Sequence, residues 1–290
     1  MTNIIILLWI YYTLTIMASN LLDDTIEDVF RTVFETTPDE LLVVNPSVDV
    51  IEALIAVATD VSEFPRIRLL GDEATLKTAR GEFTLASNAA NLIDDDTLTI
   101  RAHQGASENS LLVTPTEVVA LVTAGDTVVG LSADDNEFVS LADDVYMSAW
   151  EDADEFTLRT PSRLRMRATL ADEIGDPVEA DFTGVLDSLE TARSDGNGDA
   201  DLDPVIISLL VAAKHGVQLY DISRWGEDVG LASKATFSRT KTRLEDEGLL
   251  DTEKVPIDVG RPRLRLMFGD DRLGDASTDQ LASVAQALLR

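Results

Sequence analysis

Nine residues near position 200, RSDGNGDAD (193 to 201), offer a core nothing but Ala200. A stretch so rich in Gly and Asp stays solvated and reads as a linker. The chain therefore cannot close around one core. It divides into an N-terminal body, residues 17 to 192, and a smaller C-terminal one beginning at 204, against a usual domain size of roughly 100–200 residues.

Before the linker, helical and strand patterns alternate. Leu21, Leu22, Ile26, Val29, Phe30, Val33 and Phe34 recur at helical spacing. LLVVN (41 to 45) is a short run of buried-strand type, followed by Pro46 and Ser47, with Ser47 as N-cap of a helix to about residue 59. RIRLLG (66 to 71) is a second strand, Asp72 opens another helix, and LTIRAH (98 to 103) is a third strand. Strands joined through helices by short connections imply right-handed crossovers and a parallel sheet. SLLVTP (110 to 115), EVVALVT (117 to 123) and TVVGLS (127 to 132) then follow with no room for helices, so they pair antiparallel. Residues 137 to 192 read as helical, broken at Pro161 and near Gly175-Asp176-Pro177. The expected fold is α/β, an N-terminal mixed sheet with helices, followed by a smaller α+β body after the linker.

Residues 1 to 16, MTNIIILLWIYYTLTI, differ from everything after them: no charge, no Gly, no Ala and no Pro. The apolar run from Ile4 to Ile16 is too short to span a bilayer as a helix, which takes about 20 residues. It lacks the basic start and small-residue cleavage site of a secretory leader. The expectation is an extension ahead of a natural start at Met17, with no membrane association and a cytoplasmic protein.

After the linker, Asp203-Pro204 starts a helix with Pro in its first position. Val205, Ile206, Leu209, Leu210 and Ala213 form its buried stripe, and Gly216 ends it. A second short helix covers about 219 to 229, with Tyr220, Ile222 and Trp225 as its apolar residues, and Gly230-Leu231 makes a tight turn. The third, within 232 to 250, divides its labour: Ala235, Phe237 and Leu244 pack inward, while Ser233, Lys234, Thr236, Ser238, Arg239, Lys241 and Arg243 supply hydroxyls and cations. A recognition helix needs that mixture, donors for bases and phosphates with apolar anchors behind. Two strands around PIDVGRP (256 to 262) form a wing whose Arg261 and Arg263 are placed for phosphate or minor groove. Ser233, Thr236 and Arg239, on the first two turns, are the expected base readers.

Charge supports that reading. The chain has 23 Lys plus Arg against 53 Asp plus Glu, a net charge of −30. Dense carboxylates with few lysines are a surface suited to molar salt, which screens their repulsion. Yet residues 204 to 268 hold ten bases and nine acids, a balance of +1. A near-neutral island in so acidic a chain fits a polyanionic partner, double-stranded DNA, the alternative being a module used for protein contacts alone.

The absence of cysteine and the presence of only His103 and His215 exclude disulfides, thiolate sites and histidine-rich metal centres. There is no phosphate loop, no nucleophile elbow and no dinucleotide glycine fingerprint. No enzyme, metal or cofactor is expected.

The segment 204 to 268 resembles archaeal winged-helix regulators of the TrmB-like and ArsR-like kind. From Met17 onward the chain resembles the haloarchaeal TbsP family of transcriptional regulators, most specifically in residues 233 to 250 and in Gly260-Arg261-Pro262. The resemblance implies control of central carbon metabolism.

Two further expectations concern partners. Ser47, Gly71, Arg101 and His103 stand at strand ends, where loops and helix N-termini hold anions, so they are candidates for a small anionic metabolite. Helix geometry alone accounts for Ser47 and Gly71, and a surface-loop role accounts for His103 as well. His215, before Gly216, reads as a helix C-cap partner. The closing segment, residues 269 to 290, carries Leu281, Val284, Ala285 and Leu288 on one face, a candidate homodimer contact.

Overall fold

The computed structural model describes residues 20–21, 25–37, 39–103, 109–124, 127–194, 202–256 and 262–289. Residues 1 to 16, Arg261 and most of the expected linker lie outside them. The chain forms two compact units that divide between Thr157 and Leu158.

The first unit is built on an eight-stranded sheet, in the order β1-β7-β6-β5-β2-β3-β4-β8. Its chain order is β1 (Asn20–Leu21), α1 (Ile26–Thr36), β2 (Glu40–Val44), α2 (Val48–Asp60), β3 (Arg66–Asp72), α3 (Glu73–Gly81), α4 (Phe83–Asp94), β4 (Leu98–His103), β5 (Ser110–Val113), β6 (Val118–Ala124), β7 (Thr127–Ala133), α5 (Asn136–Asp152) and β8 (Asp154–Glu155). As expected, β2, β3 and β4 are parallel and β5, β6 and β7 antiparallel. Both crossovers move the chain the same way across the sheet, which puts α2 and the α3–α4 pair on one face. The opposite face receives α5: Val139, Ala142 and Trp150 pack on Leu42, Val44, Leu70, Val113 and Val118.

The second unit contains α6 (Arg163–Glu173), α7 (Asp176–Ser194), α8 (Pro204–Lys214), α9 (Leu219–Val229), α10 (Lys234–Asp246), β9 (Leu250–Val255), β10 (Arg263–Phe268), α11 (Asp271–Gly274) and α12 (Thr278–Leu289). The expected boundary after residue 192 is displaced: α6 and α7 join the C-terminal unit. The cause is α8, where every residue from Val205 to Ala213 is buried. A helix apolar all round needs partners on every side, and α7 supplies the side the winged helix leaves open. Phe182 of α7 meets Trp225 edge-on at 6.0 Å between centroids, and the Trp225 indole N–H donates to Thr169 Oγ1 of α6 at 3.0 Å.

The closing helix α12 also packs within its own chain. Leu281, Ala282 and Ala285 are buried, and α12 lies so close to α7 that a Cβ on Gly184 would stand 2.8 Å from Thr278 Cγ2. Half of the face expected to dimerise is therefore already occupied. Asp181 of α7 ties the joint, accepting from Thr278, from His215 Nε2 at 2.6 Å and from Lys214 Nζ at 3.1 Å. Burial pushes its carboxyl up, but the hydrogen bonds from Thr278, His215 and Lys214 outweigh burial and hold it below its usual value. The joint therefore keeps its full contribution above the unfolded carboxylate's pKa of about 3.9 and loses it as pH falls through the lowered one. His215 occupies the C-cap position of α8, but its ring serves Asp181 rather than the helix end.

Candidate nucleic-acid interface

Helices α8, α9 and α10 are followed by a two-stranded ribbon, β9 against β10, paired from Arg263 opposite Val255 to Phe268 opposite Leu250. The ribbon is anchored by the fully buried Leu266, whose N–H donates to Val217 O at 3.0 Å. Between α9 and α10 the chain turns at Gly230, whose φ of 88° only glycine adopts freely. Leu231 and Ala232 both donate to Gly226 O, at 2.8 and 3.2 Å.

Phe237, fully buried, pins α10 onto α9 at Gly226. Lys234, Ala235, Ser238, Arg239, Thr242 and Arg243 are exposed on α10. Arg239 Nη2 reaches Thr236 Oγ1 at 3.4 Å, and neither Arg239 nor Arg243 meets an acid among the described residues. On α10 these two guanidinium groups are the cations left without an acid partner among the described residues.

Other expected contacts are placed differently. Ser233 caps α10: its Oγ accepts from Thr236 N at 3.2 Å and lies 3.1 Å from Thr236 Oγ1, so the two hydroxyls serve each other. Lys241 points inward. It lies on the stripe Phe237, Lys241, Leu244, and its Nζ donates to Glu245 Oε2 at 2.7 Å while Thr252 holds the other carboxylate oxygen at 2.9 Å. Ala235, expected inside, is exposed. Arg263 stacks 4.3 Å from the Tyr220 ring centroid and donates to Gln218 Oε1 at 3.2 Å and Asp221 Oδ1 at 3.4 Å.

Tyr220 was missed as a surface residue. It is 45% exposed and, with Ser223, Lys234, Ser238 and Arg263, lines a groove of about 360 Å³ between α9, α10 and the wing. Spacing could have found it: Tyr220 and Ile222, two residues apart, stand on nearly opposite sides of a helix.

Lys234 pairs with Glu227 at 2.6 Å. The hydrogen bond between them lowers the Glu227 carboxyl and raises the Lys234 ammonium from their ordinary values. Glu227 is a built-in counterion that a phosphate approaching Lys234 would have to displace. Glu227→Gln is expected to free Lys234 and steepen the dependence of log affinity on log salt by about 0.9, one phosphate's worth, read by titrating duplex DNA at several KCl concentrations.

Each of the four strand-end candidates of the first unit has a local structural role among the described residues. Ser47 is spent capping α2, accepting from Val50 N at 3.3 Å. Arg101 Nη1 donates to Trp150 O at 2.6 Å and stacks over that indole at 4.9 Å. Gly71 is packed against α3, where a Cβ would meet Leu76 Cδ2 at 3.0 Å. His103 pairs across from Asp72 in the sheet, whose carboxylate caps α3. A cavity of about 780 Å³ opens instead at the opposite strand ends, lined by Arg31, Phe34, Glu35, Glu63, Phe64 and Thr97 among others. Among the described residues no group of three His, Asp or Glu is placed to hold a metal.

Three helices, the third turned outward with arginines that meet no acid among the described residues, and a two-stranded wing define a winged helix-turn-helix, the architecture of DNA-binding transcriptional regulators. The chain belongs to the TbsP-like transcriptional regulators. Their N-terminal domain matches residues 18–161 and their C-terminal helix-turn-helix domain residues 162–286. That junction agrees with the structural division near Thr157 rather than with a boundary at the linker.

A comparison with curated protein sequences finds no match. Among solved structures the chain is similar to TrmBL2, an archaeal chromatin protein with a novel mode of DNA binding, at 15% identity and TM-score 0.33, over 53% of this chain. It spans 62% of TrmBL2's length. It is also similar to Nuc of Salmonella typhimurium, a phospholipase D family member, at 11% identity and TM-score 0.34, over 48% of this chain and 96% of that one. NucT of Helicobacter pylori follows at 12% identity and TM-score 0.31, covering 45% and 91%. Likenesses this distant carry no function across. Among the described residues no helix is long and apolar enough to cross a membrane.

Proposed function

We propose that this regulator binds a specific two-fold operator as a homodimer in the cytoplasm of a cell rich in salt. It controls genes of central carbon metabolism in response to a small metabolite, and it has no catalytic role. The observation that carries DNA binding is the outward face of α10, where Arg239 and Arg243 stand free of acid partners among the described residues of a chain with net charge −30. Arg239 reads a base edge. Arg243, Lys234 and the wing residues Arg261 and Arg263 hold phosphates. Two copies place their recognition helices about one helical turn, roughly 10 base pairs, apart.

The metabolite reading belongs to the first unit. The place that favours it is the cavity beside Phe34 and Phe64, whose rings stack at 5.9 Å. Its acids Glu35 and Glu63 face one cation, Arg31, which is already paired with Asp60 at 2.8 Å. That lining suits a neutral ligand better than the anion expected from the strand ends.

Chromatin immunoprecipitation followed by fluorescence anisotropy in 2 M KCl tests operator binding. The enriched sequence is expected to bind at least about 1,000-fold more tightly than an unrelated duplex. Equal binding to both would remove the specific-operator reading.

A further inference from the structure

Among the described residues, the helices of the first unit cover only about half of one sheet face. On that face α5 packs across β5, β2, β3 and β4 through Val139, Ala142 and Trp150. The neighbouring strands β6 and β7 present Ala120, Val122, Val129 and Leu131 on the same face, since Ala120 pairs with Leu131 and Val122 with Val129. Val122 is 42% exposed and Leu131 44%. A sheet face left this apolar normally carries a second layer.

Helix α5 adds a ridge beside the bare strands. Phe138, Leu141 and Val145 recur at helical spacing and are 48, 60 and 53% exposed. They lie on the flank away from Met147, whose sulfur accepts from Arg68 of β3 at 3.2 Å. At about 100° per residue, that orientation turns the ridge toward β6 and β7 rather than toward β3 and β4. Ridge and bare strands together expose five large apolar side chains, Val122, Leu131, Phe138, Leu141 and Val145, each between 42 and 60%, and apolar patches of this kind are often functional.

We infer that this surface is the contact between two copies of the chain. A two-fold axis lays the α5 ridge of one protomer over the bare β6–β7 strands of its partner, and the reverse contact forms at the same time. Ridge and strands are both uncharged, so they match each other better than they match a charged peptide. The rim carries Glu137 and Asp144, and the copies bring net charges of −30 each. The dimer therefore holds together in molar salt, where the screening length is about 3 Å, and loosens in dilute buffer. The inference rests on the homodimer proposed above but not on DNA binding, and it replaces α12 as the contact.

Sedimentation equilibrium of the full chain in 2 M KCl tests it. The wild type is expected at twice the 31.5 kDa chain mass, and a Leu131→Asp, Leu141→Asp variant at the chain mass with unchanged circular dichroism. Leu288→Asp on α12 is expected to stay dimeric. The chain has no cysteine, so mixing a Leu131→Cys protein with a Leu141→Cys protein and oxidising should yield a disulfide-linked heterodimer. A dimer that survives the double aspartate variant, or a mixture that does not cross-link, overturns the surface and leaves the homodimer standing. A monomeric wild type overturns the homodimer itself. Dimerisation only after deletion of residues 1 to 16, or only with an added basic peptide, would show the surface belongs to another occupant.

Discussion

Arg239→Ala is expected to weaken operator binding about 10- to 100-fold and to abolish base preference at one operator position. The size follows from what a good base contact is worth, on the order of 1–3 kcal/mol of discrimination. The choice of residue follows from the partners of its neighbours. Ser233 and Thr236 satisfy each other at the N-cap, Lys234 is neutralised by Glu227, and Lys241 is turned inward to Glu245. Among the described residues Arg239 has only the long contact to Thr236 Oγ1. Phosphate contacts are weak in molar salt because each loses about 0.9 in log affinity per decade of salt, so a base contact weighs more here than in dilute buffer. Arg239→Lys should not restore the preference, since an ammonium lacks the paired donors of the guanidinium. Lys241→Met serves as the contrast: it removes an inward ion pair and is expected to leave affinity within about twofold. Anisotropy titrations against an operator and its single-base variants give the readout. A loss equal for all sequences would make Arg239 a phosphate contact instead.

Elements were legible in the sequence wherever one face of one segment decides. The β5–β6–β7 meander, Ser47 as a cap and the three helices with their wing follow from local period and turn chemistry, and the structure has them. Lys241 was legible too, but only by spacing. It falls four residues after Phe237 and three before Leu244, so it shares their buried stripe whatever its charge. Residue type suggested the surface, and spacing was the better guide. The fate of Arg101 was not legible, because its partner Trp150 lies 49 residues away on a helix that crosses the opposite sheet face. The domain boundary failed for a related reason. A solvated stretch marks where the chain meets water, not which unit the preceding helix packs on. Only the uniformly apolar α8 signalled that a further layer was required, and its sequence does not say that α6 and α7 provide it.

The largest effect on the fold is expected where α9 meets α10. Gly226→Ala would ordinarily stabilise a helix interior by up to about 1 kcal/mol. Here an added Cβ would stand 2.3 Å from Phe237 Cε2 and 2.4 Å from Cζ. Phe237 cannot yield, since it is fully buried in the unit's core. Overpacking of this kind costs about 1–3 kcal/mol or more, so the sign reverses and α10 is pushed outward. Emptying the site from the other side is worse: Phe237→Ala removes a buried ring at a cost of about 3–5 kcal/mol, a fifth or more of a typical domain's stability of roughly 5–15 kcal/mol. Each variant should melt at lower temperature in 2 M KCl and bind operator weakly, because the ring that fills the core also sets the pose of the recognition helix. Pairing the two tests the contact itself. Gly226→Ala with Phe237→Leu gives the new methyl room, so its cost should fall short of the sum of the two single changes, as for residues in direct contact. A Gly226→Ala protein that melted with the wild type and bound operator unchanged would show that this contact does not hold α10 in place.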